Sequence, residues 1–195
     1  DQDMLRLLKK YIKVEYNKPG NVYLGLVHRL DRPVGGVMVF AKTSKAAARI
    51  SEQIRKSQFK RTYMAVIHGA PEPTKGTLIH HLLKDPRTNR VKAVAKDVKG
   101  ARRAVLDYTT LEVLDKLSLV KINLHTGRPH QIRVQFTQIG HPLYGDQRYG
   151  FKDKGRQIAL WAYEIEFEHP TLRKTMTFSR LSQDEYPWKI FSPIR

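Results

Sequence analysis

Cysteine is missing from all 195 residues, which excludes disulfides and thiolate metal ligands and suits a reducing compartment such as the cytoplasm. Long apolar runs are missing too. No stretch approaches the roughly 20 residues that a spanning helix requires, and no basic amphipathic anchor stands out. A membrane partner is therefore not expected. Acidic residues are few, 18 Asp plus Glu against 36 Lys plus Arg, and the net charge is +18. Such an imbalance predicts a polyanionic partner bound through phosphate neutralisation and counterion release, with nucleic acid first in line. No Gly-rich phosphate loop, dinucleotide fingerprint or Ser-His-Asp order occurs, so neither a nucleotide cofactor nor serine hydrolase chemistry is expected. His80 and His81 are adjacent and His125 and His130 lie close. Without Cys or a spaced carboxylate on a shared helix face, they predict no metal site. Repeats, low-complexity runs and clear linkers are absent, and the opening Asp1-Gln2-Asp3-Met4 has no leader-peptide pattern.

What is present is a chain able to fold. Hydrophobic residues make up 41%, and the length suits one domain or two small lobes sharing a core. Met4, Leu7, Leu8 and Tyr11 share a helical face, which predicts a helix over 3–13, ended by the turn residues Asn17-Lys18-Pro19-Gly20. Residues 34–41 read as a strand, and Thr43 or Ser44 can cap a helix over about 45–57. Alternation predicts strands at 59–68, 104–114 and 117–124, and a hairpin from 158–168 and 172–179. Pro129 fits the first turn of a helix over about 129–139, closed by Gly140. Between Lys84 and Arg103, eight of twenty residues are Lys or Arg, as expected of a solvated basic loop or hairpin. Trp188, Ile190 and Phe191 are expected to dock on the body. Strands outnumber helices and several pair antiparallel, so the class is α+β.

Three segments carry candidate chemistry. In Val27-His28-Arg29-Leu30-Asp31-Arg32-Pro33-Val34-Gly35-Gly36, one carboxylate sits between two arginines, ahead of a Gly-Gly pair and an apolar run. A structural ion pair is the bland explanation. Against it, Gly35-Gly36 allows a backbone or a ligand to approach closely, and an idle ion pair beside a buried strand would be costly. Asp31 is thus placed to stay ionised and be aimed by its neighbours, as a nucleophile must be. Tyr63, on the strand Phe59–His68, is a core residue or an aromatic face for a flipped base. Arg133, in Leu124-His125-Thr126-Gly127-Arg128-Pro129-His130-Gln131-Ile132-Arg133-Val134, supplies a guanidinium that can hold a carboxylate charged and oriented.

Val27–Lys42 closely resembles the catalytic segment of RluA-type RNA pseudouridine synthases. Lys60-Arg61-Thr62-Tyr63-Met64-Ala65 resembles that family's Lys-x-Tyr-x-Ala motif, and Thr126–Arg133 is similar to its Thr-Gly-Arg-x-His-Gln-Ile-Arg motif. The resemblance spans about 23–180 with the motifs in order. One departure is Val34-Gly35-Gly36 where the family usually has Thr-Ser-Gly. Another is the lack of the strand that usually precedes the first helix. Gly140–Asp146 also matches and reads as a turn and packing segment.

The resemblance implies a single catalytic domain over 1–195 with no accessory RNA-binding domain. Its fold would be a mixed, largely antiparallel sheet with flanking helices and a central active-site cleft. It further implies isomerisation of specific uridines in tRNA or rRNA, with Asp31 as nucleophile, Tyr63 against the base and Arg133 paired with Asp31. Arg29 would lie beside the flipped nucleotide. Arg29, Arg32, Arg87, Arg90, Lys92 and Arg128 are the expected RNA contacts. No metal and no cofactor are expected, and the protein is expected to act as a cytoplasmic monomer. The rival from another class is a non-catalytic RNA-binding module of the same fold. A glycoside hydrolase would need two facing carboxylates, and only one candidate is well placed.

Overall fold

A computed structural model describes residues 3–151, 157–182 and 184–192. Its helices are α1 (Met4–Glu15), α2 (Ser44–Arg55) and α3 (Gln131–Gln138). The strands are β1 (Gly25–Leu26), β2 (Gly35–Gly36), β3 (Phe40–Ala41), β4 (Lys60–His68), β5 (Lys75–Asp85), β6 (Arg90–Val94), β7 (Arg102–Leu114), β8 (Leu117–Leu124), β9 (Leu160–Glu168) and β10 (Thr175–Ser179). The chain divides into two compact units, one of residues 1–29, 38–59 and 166–177, the other of 30–37, 60–165 and 178–195.

In the smaller unit, Asp3 caps α1 by accepting the Arg6 N–H, and Thr43 caps α2 by accepting the Ala46 N–H. The α2 cap falls where the sequence suggests. α1 buries no residue, and its apolar face stays open, with Met4 and Tyr11 both 57% exposed. β1 pairs antiparallel with β3, and the Val39 N–H donates to Nε2 of His28.

In the larger unit the sheet runs β9–β4–β8–β7–β5–β6, and β2 joins β9 in parallel. The β4–β8, β7–β8, β5–β7 and β5–β6 pairs are antiparallel, as the α+β expectation requires. Alternation along β4 sends Tyr63, Ala65 and Ile67 into one core and Met64 and Val66 into another. Ile132 and Phe136 of α3 fill the first of these, while Trp188 and Phe191 dock in the second.

Three expectations need correction. The segment 34–41 is not one strand: β2 pairs with β9, β3 pairs with β1, and Gly36, the last residue of β2, has φ +126°. α3 begins at Gln131 rather than Pro129, because His130 takes the left-handed conformation at φ 51° and breaks the helix there. The basic stretch 84–103 is a hairpin with a core side, since Val91 is buried with Leu82, Ala104 and Val134. β5 carries no clean alternation and is not anticipated.

The Gly-Gly pair is occupied by backbone and ring. A Cβ on Gly36 would fall 2.3 Å from the Ala162 carbonyl oxygen, and one on Gly35 would strike the Trp161 ring at 2.3 Å. Gly36→Ala combines that clash with a left-handed φ and should destabilise the protein by more than about 2 kcal/mol. Thermal unfolding checks this, and an unchanged melting temperature would count against it.

Candidate active site

Asp31 begins a turn in which its carbonyl accepts the Val34 N–H at 2.9 Å. Leu30 and Val34 on either side pack against the larger core, and β2 pins the far end to β9. The Pro33 carbonyl accepts from the Gln157 amide at 3.3 Å. These anchors leave the Asp31 side chain 26% exposed.

Arg133 lies on α3, whose residues 131–136 are all buried. Its Nη1 donates to Oδ2 of Asp31 at 3.3 Å, joining groups 102 residues apart. Nε and Nη2 form a two-pronged bond to Asp146 at 2.8 and 2.7 Å. Asp146 is 1% exposed and also accepts the N–H groups of Arg148 and Tyr149 at 2.9 and 3.0 Å. The guanidinium further rests over the Tyr149 ring, 5.1 Å from its centre. Asp146 therefore fixes the fork, and one arm is left for Asp31.

Burial alone would lower the Arg133 pKa, but the hydrogen bonds and charge of Asp146, then of Asp31, hold it above its ordinary value. Burial would raise Asp146, yet Arg133 and the two backbone donors keep it below 3.8. Tyr63 is 8% exposed, and burial pushes its phenol up. The Asp31 charge adds to that push while Arg61 opposes it, so both groups act on this hydroxyl.

Asp31, Tyr63 and Arg133 thus gather in the larger unit. Arg128 is exposed and spends its Nε–H on the Arg103 carbonyl at 3.0 Å. Arg87, Arg90 and Lys92 are exposed on the β5–β6 hairpin, and Arg32 is exposed beside Asp31. Arg29 is exposed in the smaller unit. Asp146 is the functional residue that sequence reasoning passes over. Its signal is a lone carboxylate closing the turn-rich segment Gly140–Asp146, and nothing in that pattern says which cation it meets. A cavity of about 490 Å³ lined by Trp161, Tyr186 and Trp188 includes none of the three candidate catalytic residues. Among the described residues, no group of three or more His, Asp or Glu could hold a metal.

The fold is shared with two human proteins, RNA pseudouridylate synthase domain containing 4 and 1. The TM-scores are 0.75 and 0.72 at 22% identity, covering 93% and 90% of this chain and 78% and 74% of theirs. The RNA pseudouridylate synthase family profile matches residues 3–138. An uncharacterized RNA pseudouridine synthase of Aquifex aeolicus is 34% identical over 166 residues, 79% of this chain and 52% of its own length. Ribosomal large subunit pseudouridine synthase D of Neisseria meningitidis is 35% identical over 174 residues, 83% of this chain and 46% of its own. The chain belongs to the RNA pseudouridylate synthase family, of the RluA type that its motifs resemble. It spans about half the length of these curated relatives.

Proposed function

We propose that this protein isomerises uridine to pseudouridine within RNA, with Asp31 as nucleophile. The observation that carries the reading is the Asp31 carboxylate held by a buried guanidinium that is itself locked by Asp146. A uridine turned out of its stack meets Tyr63, whose phenol is kept protonated by burial. Asp31 promotes cleavage of the bond between N1 and C1′, the uracil turns, and C5 bonds to C1′. The C5 proton leaves and N1 gains one, so the reaction is redox-neutral and calls for no group carrier. Arg133 keeps Asp31 oriented as charge shifts during these steps.

The substrate is ribosomal or transfer RNA, with ribosomal RNA favoured by the names of two relatives, the large subunit synthases D and C. The protein acts as a cytoplasmic monomer on this reading. Among the described residues, no helix is long and apolar enough to cross a membrane. A glycoside hydrolase fits poorly, because the second carboxylate, Asp146, is buried with both oxygens committed to Arg133.

Incubation of the protein with unmodified transcripts of large-subunit ribosomal RNA and of transfer RNAs should yield pseudouridine at a small number of positions. RNA binding with no product on any transcript would favour the non-catalytic module instead. The basic hairpin is assigned to backbone grip. β6 is an edge strand, where Arg90 and Lys92 also discourage pairing with another chain. Changing Arg87, Arg90 and Lys92 to Glu should weaken RNA binding and shrink the slope of log affinity against log salt by about one for each phosphate no longer neutralised. Filter binding across a salt series measures this, and an unchanged slope would remove the hairpin from the interface.

A further inference from the structure

Arg61 is, with Lys60, one of the two basic residues that open the β4 motif, and the mechanism above leaves it without a task. Two residues before Tyr63 on the same strand, it projects from the same face as the phenol. Its guanidinium lies against Gly127, in the loop between β8 and α3. A Cβ on that glycine would fall 2.6 Å from Nη1 and 3.4 Å from the guanidinium carbon. Gly127 has no left-handed φ, so here glycine supplies room and not conformational freedom. The loop around it is pinned, because the Gln131 side-chain oxygen accepts from the Thr126 hydroxyl at 2.8 Å and from the Arg128 N–H at 3.0 Å. The guanidinium therefore fills the room that Gly127 leaves, and its position is set before any ligand arrives.

The cation itself is uncompensated. Nε is shut off from solvent and has no hydrogen-bond partner, and no carboxylate among the described residues bridges the group. Arg133, by contrast, has two carboxylates, and Arg148 reaches the Asn89 carbonyl. Burying an unpaired guanidinium costs stability, and such a cost persists where the group has a ligand to receive. Its electrostatic reach extends to the Tyr63 hydroxyl, which Asp31 also influences, so the ligand belongs to the same site.

We propose that Arg61, lying beneath Gly127, is an anion subsite of the active site that takes a phosphodiester oxygen of the target nucleotide. The planar fork matches two phosphate oxygens, and RNA supplies one such anion per nucleotide. This rests on the reading of the protein as an RNA-modifying enzyme, but the subsite can be tested without turnover.

The test uses the full chain with uridine, inorganic phosphate and uridine 3′,5′-bisphosphate as probes. Affinities come from calorimetry, and the Arg61 Nε–H resonance is followed by NMR. The native protein should bind the bisphosphate at least about tenfold tighter than uridine, a preference of about 1.4 kcal/mol. Bisphosphate and inorganic phosphate should both shift the Arg61 resonance. Arg61→Gln should reduce the preference to within about twofold and melt no lower than the native chain, since a half-buried charge with no carboxylate partner has gone. Arg61→Lys should keep part of the preference, Gly127→Ala should weaken it, and Asp31→Asn should leave it intact. An undiminished preference in Arg61→Gln, or none in the native protein, would overturn the assignment. So would a loss confined to uridine, which would place Arg61 on the base. Failure to make pseudouridine with the preference intact would instead remove the enzymatic reading and leave the subsite standing.

Discussion

Asp31→Asn should bind RNA as tightly as the native protein and lose pseudouridine formation by about 10⁴-fold or more, the scale on which removal of a reacting group acts. Asn has nearly the same shape, so the turn held by the Asp31 carbonyl and the Val34 N–H is kept. Arg133 retains both bonds to Asp146, which limits the structural cost to one 3.3 Å hydrogen bond. On a protein of net charge +18, one carboxylate less does not weaken attraction to phosphates. What disappears is the charged oxygen. Binding and single-turnover assays on the same preparation separate the two effects, and a parallel loss of both would point to a damaged fold.

The second large effect is expected at Asp146→Asn. The amide can accept on one side only, so one arm of the Arg133 fork meets an NH₂ group in a site 1% exposed. Breaking one partner of a buried pair costs about 3–5 kcal/mol, here a fall in melting temperature of order 10 °C. Activity should fall as well, because Arg133 loses the bonds that aim its remaining arm at Asp31. The pH dependence has a definite sign. The Asp146 carboxyl is held below 3.8 in the fold, so its contribution is complete above that value and is lost as pH falls through the folded value. The stability difference between native protein and variant should therefore shrink in strong acid. Urea unfolding at pH 6 and at progressively lower pH measures it, and a constant difference would deny the pair its role.

The contrast between Asp31 and Asp146 marks what can be read from a sequence. Asp31 stands out because its neighbours are unusual: two arginines, a Gly-Gly pair and an apolar run. Its partner Arg133 stands out in a long motif of its own. Asp146 closes a segment whose Gly, Pro and Leu residues do pack and turn, and only the tertiary fold brings α3 beside it. Local signals also reveal the cap of α2 and the alternation of β4, β7 and β8, since each is set by residues within a few positions. β5 escapes because its polar residues, His80 and His81 among them, interrupt the pattern, and its partner β7 begins 17 residues after β5 ends. The split of 34–41 depends on Gly36 meeting the β9 backbone, which lies more than a hundred residues away in sequence. Arg61 is visible as a basic residue in a motif, but its lack of a partner can be seen only in three dimensions.

The most direct measurement is a map of pseudouridine across cellular RNA after deletion of the gene, followed by return of either the native sequence or Asp31→Asn at equal expression. Loss of defined sites on deletion, restored by the native chain and left unmodified by the variant, is the predicted result. Full restoration by the variant, or a map unchanged by deletion, would contradict a reaction carried by the carboxylate that Arg133 holds.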